Sequence, residues 1–156
     1  MMSDTPAETK DLGRQSGFRD MMGYRNIVWR EGYAEIELEL APRHMNRLNI
    51  VHGGTYMAIL DAALGHCTTW CSRPDHVRLC VTIGMTTSFL TAVNGGTITA
   101  IGQLEGVHDR VATARGRIVD ANGQLLSTAQ GSFRYPSGSE FVEGVARQPR
   151  NTSGKV

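Results

Sequence analysis

Residues 55–64 read TYMAILDAAL, and Asp61 is the one side chain among them that is neither apolar nor small enough to bury easily. A helix apolar nearly all round belongs inside a core, and an unpaired carboxylate there is costly. Asp61 therefore needs either a structural partner or a chemical task. Just upstream, His52-Gly53-Gly54 stands where such a helix would begin. Two glycines there let a ligand approach the backbone, and the free N–H groups at the positive end of the helix dipole suit a developing anion. Each feature alone has an ordinary explanation, tight packing for the glycines and a paired structural role for the carboxylate. Together they are complementary halves of acyl transfer, an oxyanion donor and a base or nucleophile.

The remaining chemistry-bearing residues point to less. Cys67, Cys71 and Cys80, with His66 and His76, invite comparison with a zinc cluster. Structural zinc sites show paired short spacings such as C-x2-C, which are missing here. The three cysteines read instead as reduced thiols, two on a helix and one in a strand, and no metal is expected. An odd number of cysteines in a chain of this size also argues against disulfide stapling. His44, His66, His76 and His108 read as loop or surface residues without a role.

The elements that must position Asp61 and Gly53 follow from periodicity. Residues 1–15 and 138–156 are poor in apolar content and read as a disordered N-terminal segment and a flexible C-terminal tail. Between them, 16–137 form one domain with no linker or repeat. GFRDMMGY (17–24) suits a short helix with Phe18, Met21 and Met22 on one side. NIVWREGYAEIELEL is a hairpin turning at Glu31-Gly32. In its second strand Ala34, Ile36, Leu38 and Leu40 alternate with Glu35, Glu37 and Glu39, giving one wet face and one buried face. APRHMNRLNIVHGG (41–54) has no period and reads as a structured loop. A helix is expected over 53–70, ending in the CSRPD turn. Four strands follow, separated by turn formers at 93–96, 108–109 and 121–123. One apolar helix can cover the apolar face of such a meander. The expected fold class is α+β, a curved antiparallel sheet wrapped around one long central helix.

Composition limits the partners. Hydrophobic residues make up 40% of the chain, charged residues 20%, and the net charge is +1. This gives no footprint for nucleic acid or an anionic membrane, and no apolar run reaches the ~18 residues of a membrane span. The polar N-terminus lacks the apolar core of a signal peptide, so a cytoplasmic protein is expected.

The stretch N46-RLNIV-H52-G53-G54-TYMAIL-D61 resembles the hotdog-fold acyl-CoA thioesterases of the PaaI-like group. The motif places Asn six residues before His-Gly-Gly and Asp nine after that His. GRIVDANGQLLSTAQGSFRY is similar to the family's last hairpin. The resemblance implies hydrolysis of an acyl-CoA thioester to a carboxylic acid and coenzyme A, without metal or cofactor. It implies that Gly53 N–H polarises the thioester carbonyl and that Asp61 is general base or nucleophile. It further implies that Asn46 lies near the carboxylate and water, that His52 lies beside the thioester, and that Thr82 helps to hold the water. Gly54, Tyr56, Gly84 and Phe89 fall at substrate-binding positions. The pantetheine and nucleotide would run along Asp109, Arg110, Val111, Ala112, Thr113 and Ala114, with Arg110 as the phosphate ligand. Arg115, Arg117 and Arg134 are the alternatives. Gly65, one turn past Asp61, supplies no side chain where some hotdog thioesterases carry a Thr. Tyr56, Met57, Met85 and Phe89 suit a tunnel for an aromatic or an aliphatic acyl group equally.

Geometry adds a constraint of its own. Eight helical residues separate Gly53 from Asp61, about 12 Å at 1.5 Å per residue, so one carbonyl cannot lie within ~3 Å of both. A two-fold dimer with neighbouring antiparallel helices would bring them together twice. The resemblance implies the same, with homodimers sharing active sites and often pairing into homotetramers. Two rival readings remain at this stage. One is a hotdog hydratase or dehydratase using His52 and Asp61, and the other a non-catalytic acyl-CoA sensor.

Overall fold

A computed structural model describes residues 16–147, and the expectations for 1–15 and 148–156 lie outside the described residues. Helix α1 (Gly17–Met22) is capped by the Ser16 hydroxyl, which accepts from Arg19 N–H at 3.2 Å. Strands β1 (Arg25–Arg30) and β2 (Tyr33–Glu39) form the expected hairpin. The long helix α2 (Gly53–Thr68) comes next. It is followed by β3 (His76–Val77), β4 (Val81–Phe89), β5 (Thr97–His108), β6 (Val111–Asp120), β7 (Leu125–Arg134) and β8 (Val145–Ala146). Six strands make one antiparallel sheet in the order β1, β2, β5, β6, β7, β4, while β3 and β8 pair separately. The sheet curves around α2, which is the hotdog architecture.

Alternation decides which side chains meet the helix. Ala34, Ile36 and Leu38 of β2 are buried, as are Ile98 and Ala100 of β5 and Ala112, Ala114 and Ile118 of β6. Against them α2 buries Tyr56, Ile59, Leu60, Ala63, Leu64 and Cys67. The helix presses closest at Gly102, where an added Cβ would lie 2.4 Å from the Ala63 carbonyl oxygen. Only glycine fits there, because backbone on backbone leaves no rotamer to give way.

Several expectations are corrected. Helix α2 is not surrounded by core: Met57 is 41% exposed, and Ala58, Asp61, Ala62 and Gly65 are half-buried. The sheet covers one side of the helix and ends at β4, so the other side stays open along that edge. In α1, Phe18 and Met21 are exposed, and Met22 alone packs on the core. His44 lies in the expected loop, but it is buried there and not on the surface. Its Nδ1 accepts from Ala41 N–H at 2.9 Å, its Nε2 lies 2.8 Å from Met22 O, and it is 1% exposed. His66 is also largely buried, its Nδ1 2.7 Å from Ala62 O and its ring edge-on to Trp29. Residues 138–147 are not tail. Arg78 donates to the carbonyls of Ser139 and Glu140 at 3.0 and 3.3 Å, and β8 pairs with β3.

Candidate active site

Helix α2 begins with a specific arrangement of donors. His52 is its N-cap, and the ring folds back so that Nδ1 accepts from Gly54 N–H at 2.9 Å. Thr55 N–H bonds the His52 carbonyl at 2.9 Å. Among the described residues nothing accepts from Gly53 N–H, so it is the unspent donor of the first turn. A Cβ on Gly54 would sit 2.9 Å from His52 Nδ1. Gly54 is thus the seat of the imidazole rather than a place where a ligand reaches the backbone. With Nδ1 accepting, a neutral His52 carries its proton on Nε2, facing outward.

Around Gly53 lies a cleft of about 380 Å³ formed with Ile50, Val51, Tyr56, Phe89 and Leu90. The Tyr56 and Phe89 rings stack at 6.3 Å with 20° between their planes. Phe89 also covers Gly53, whose added Cβ would approach the ring at 3.3 Å. The loop before the helix is held by Asn46, whose Oδ1 accepts from Leu48 N–H at 2.8 Å and Ile50 N–H at 3.4 Å. Asn49 adopts a φ of 55° in that tight turn. Thr55 Oγ1 and His52 N–H both bond the His44 carbonyl, so buried His44 ties this loop to the helix start.

Asp61 lies elsewhere, in a second cleft of about 300 Å³ walled by Phe18, Tyr24, Leu79, Cys80 and Phe133. Its Oδ1 accepts from Thr82 Oγ1 at 2.7 Å. Thr82 pairs with Phe133 of β7, a core-facing residue, so it too faces the helix. A break in register between Thr82 and Gly84 turns Gly84 to the outer face beside Ser132 and Thr113, away from Asp61. Burial raises the Tyr24 phenol above its ordinary range, Arg19 opposes this, and the Asp61 charge adds to it. Burial also lifts the Cys80 thiol, while it holds the His66 imidazolium below its usual pKa.

The structure thus divides the predicted residues. His52, Gly53, Tyr56 and Phe89 gather at one end of α2, and Asp61 and Thr82 near its middle. Asp109, with φ 51°, and Arg110 form the exposed two-residue turn between β5 and β6. Val111 is half-buried and Thr113 exposed. Ala112 and Ala114 are fully buried under α2, so their side chains are closed to a ligand by strand alternation. Met85 packs on the core, and Met57 stays open to solvent. Sequence reasoning missed Tyr24 and Arg78. Tyr24 gave no signal, since its approach to Asp61 depends on how β1 crosses the helix. Arg78 donates to three carbonyls, those of Ser139, Trp70 and Glu140, and lies over the Tyr135 ring.

Strand β4 has a further property. It is the last strand of its sheet, and Val81, Ile83, Phe89 and the adjoining Leu90 are all more than half exposed. A nine-residue edge strand with exposed Val81, Ile83 and Phe89 is a template for pairing with another chain. No helix among the described residues is long and apolar enough to cross a membrane.

Comparison with known proteins places these features in context. Residues 48–127 match the thioesterase superfamily. The E. coli PaaI protein from the phenylacetic acid degradation operon superimposes with a TM-score of 0.70 at 18% identity, covering 79% of this chain and 86% of that one. Conserved protein PA5202 of Pseudomonas aeruginosa gives 0.69 at 19% identity, covering 78% and 95%. Thioesterase HI1161 of Haemophilus influenzae gives 0.69 at 15% identity, covering 76% and 82%. At such identities these likenesses concern the fold.

Proposed function

The chain belongs to the hotdog-fold thioesterase superfamily, and from that premise we propose that it hydrolyses an acyl-CoA, aromatic or medium-chain, to a carboxylic acid and coenzyme A. The observation that carries this reading is the Asp61–Thr82 hydrogen bond facing a cleft, with an unspent Gly53 N–H on the same helix. In one route Asp61 takes a proton from water as the water adds to the thioester carbon, and the C–S bond breaks from the resulting tetrahedral intermediate to give the acid and the thiolate. In the other Asp61 itself adds to that carbon, the C–S bond breaks to leave a mixed anhydride and the thiolate, and water then cleaves the anhydride to the acid and restores the Asp61 carboxylate. In both, the carbonyl oxygen becomes an oxyanion that Gly53 N–H accommodates, aided by His52 Nε2–H, and the thiolate takes a proton.

The ~12 Å between Gly53 and Asp61, and their separate clefts, are the reason to assign each site to two chains. In this reading two copies join through β4, which ends its sheet among the described residues and exposes Val81, Ile83 and Phe89, forming a homodimer with two shared sites. Pairing into a homotetramer is part of the same proposal. Asn46, whose Oδ1 is spent on its own loop, would offer only its amide N–H groups to the partner's carboxylate and water. Arg110, exposed at a turn, is the proposed ligand for the nucleotide phosphates. The free cysteines suit a cytoplasmic setting.

The test is release of free thiol from phenylacetyl-, hydroxybenzoyl- and C4–C16 acyl-CoAs, run beside hydration of crotonyl-CoA. Thiol release with no hydration is expected. Hydration without thiol release would make the protein a hydratase, and tight acyl-CoA binding without turnover of any member would make it a sensor.

A further inference from the structure

Two adjacent glycines open α2, and the donor assigned to the oxyanion is the N–H of the first. Glycine is the most permissive residue in backbone conformation, so Gly53 and Gly54 cannot hold that N–H in one direction by themselves. A donor lowers the barrier most when it is already aimed before the charge develops. Something outside the pair must fix it.

The bonds on either side of the glycines converge on one atom, the carbonyl oxygen of His44. His52 N–H, just before them, donates to it at 2.9 Å, and Thr55 Oγ1, just after them, donates to it at 3.1 Å. The glycine pair is therefore strapped at both ends to a single point. That point sits in a buried frame of its own. His44 N–H donates to Ala41 O at 2.9 Å, and Ala41 N–H returns a bond of 2.9 Å to His44 Nδ1, closing the short turn Pro42–His44 twice. With Nδ1 accepting, the ring proton lies on Nε2, which donates to Met22 O at 2.8 Å. His44 and Thr55 are both buried, so water offers no substitute for a lost partner.

We propose that His44 is the positioning residue of the oxyanion donor. Its carbonyl aims Gly53 N–H through His52 and Thr55, and the Ala41 bond to its ring aims that carbonyl. The Met22 bond anchors the ring to α1 and does not enter the aim. This deepens the hydrolase reading and rests on it, since the N–H must meet a developing oxyanion. His44 itself touches no reacting atom.

Two substitutions take the ring's bonds apart. His44→Asn keeps an acceptor at the Nδ1 position but is too short for Met22 O, whereas His44→Gln reaches Met22 O and offers Ala41 N–H nothing. Each leaves one backbone group unpaired, so Tm should fall in both. Assayed well below either Tm, His44→Gln should lose about tenfold in kcat with KM nearly unchanged, part of the ~10²–10³ that loss of the donor itself costs. His44→Asn should stay within about twofold of wild type. Thr55 repeats the test without disturbing the ring. Thr55→Val should lose kcat by a similar factor, and Thr55→Ser, which keeps the hydroxyl, should not. Equal kcat losses in the two His44 variants, or wild-type kcat in His44→Gln or Thr55→Val, overturn the proposal. The Gly53 amide resonance reports the aim independently of turnover, and it should shift or broaden in His44→Gln and Thr55→Val alone. If the wild type cleaves no thioester but this pattern is seen, hydrolysis is the part that fails and the positioning stands. If the pattern is missing, the positioning falls.

Discussion

Asp61→Asn is expected to lower kcat by at least ~100-fold while leaving the Kd for a non-hydrolysable acyl-CoA nearly unchanged. The substitution isolates charge from shape. An asparagine retains an oxygen that can accept from Thr82 Oγ1, whose present bond to Asp61 is 2.7 Å, so the cleft keeps its walls. It cannot take a proton from water, nor attack a thioester. Because a half-buried carboxylate gains little stability from one neutral partner, the Tm of the variant should equal or exceed that of the wild type. Turnover like that of the wild type would remove Asp61 from the chemistry.

The second large effect is expected at Gly53, and here a pair of variants separates the N–H from the space around it. Gly53 is the first residue of α2, where proline is well accommodated and its missing N–H breaks no helical bond. His52 has φ −65° and ψ 136°, a conformation that a following proline favours. Gly53→Pro should therefore fold while losing the donor, and kcat should fall by about 10²–10³, the usual cost of one oxyanion-hole donor. Gly53→Ala keeps the N–H and requires only that the Phe89 ring, now 3.3 Å from the added Cβ position, move slightly. Phe89 is 53% exposed and free to do so. The alanine variant should stay within about tenfold of wild type. Equal losses in the two variants would point to packing against Phe89 instead of hydrogen bonding.

How far the site could be read from sequence depends on whether its partners are local. Alternation in β2 identified Ala34, Ile36 and Leu38 as the buried set because strand periodicity is a local property. The misfit of Asp61 in an apolar run, and the glycines after His52, were visible for the same reason. The capping of Gly54 N–H by the His52 ring spans two residues, but its geometry emerges only with the helix in place. His44 was read as a loop or surface residue and does lie in the loop, but its burial was not legible because its partners, Ala41 N–H and Met22 O, are backbone groups with no sequence signature. Residues 138–147 were misread because low apolar content suggested a tail. They are held largely by hydrogen bonds, from Arg78 and from pairing with β3. Ala112 and Ala114 show the opposite failure. The family resemblance took the whole stretch as ligand-contacting, whereas strand alternation turns their side chains to the core and leaves Thr113 exposed. Helix α2 looked fully buried because its open side is lined with alanine and glycine, which composition does not distinguish from core.

The central claim is that one active site draws Gly53 from one chain and Asp61 from its partner. It is tested most directly by co-expressing Asp61→Asn with Gly53→Pro, each nearly inactive alone. In a mixed dimer one site carries both lesions and the other carries neither. With random assortment about half of the dimers are mixed, so about a quarter of all sites are intact. Recovery to about a quarter of wild-type kcat, rising with the mixed fraction measured by native mass spectrometry, is the predicted result. A mixture that stays as inactive as its parents while mixed dimers are demonstrably present would place both groups in a single-chain site and contradict the account.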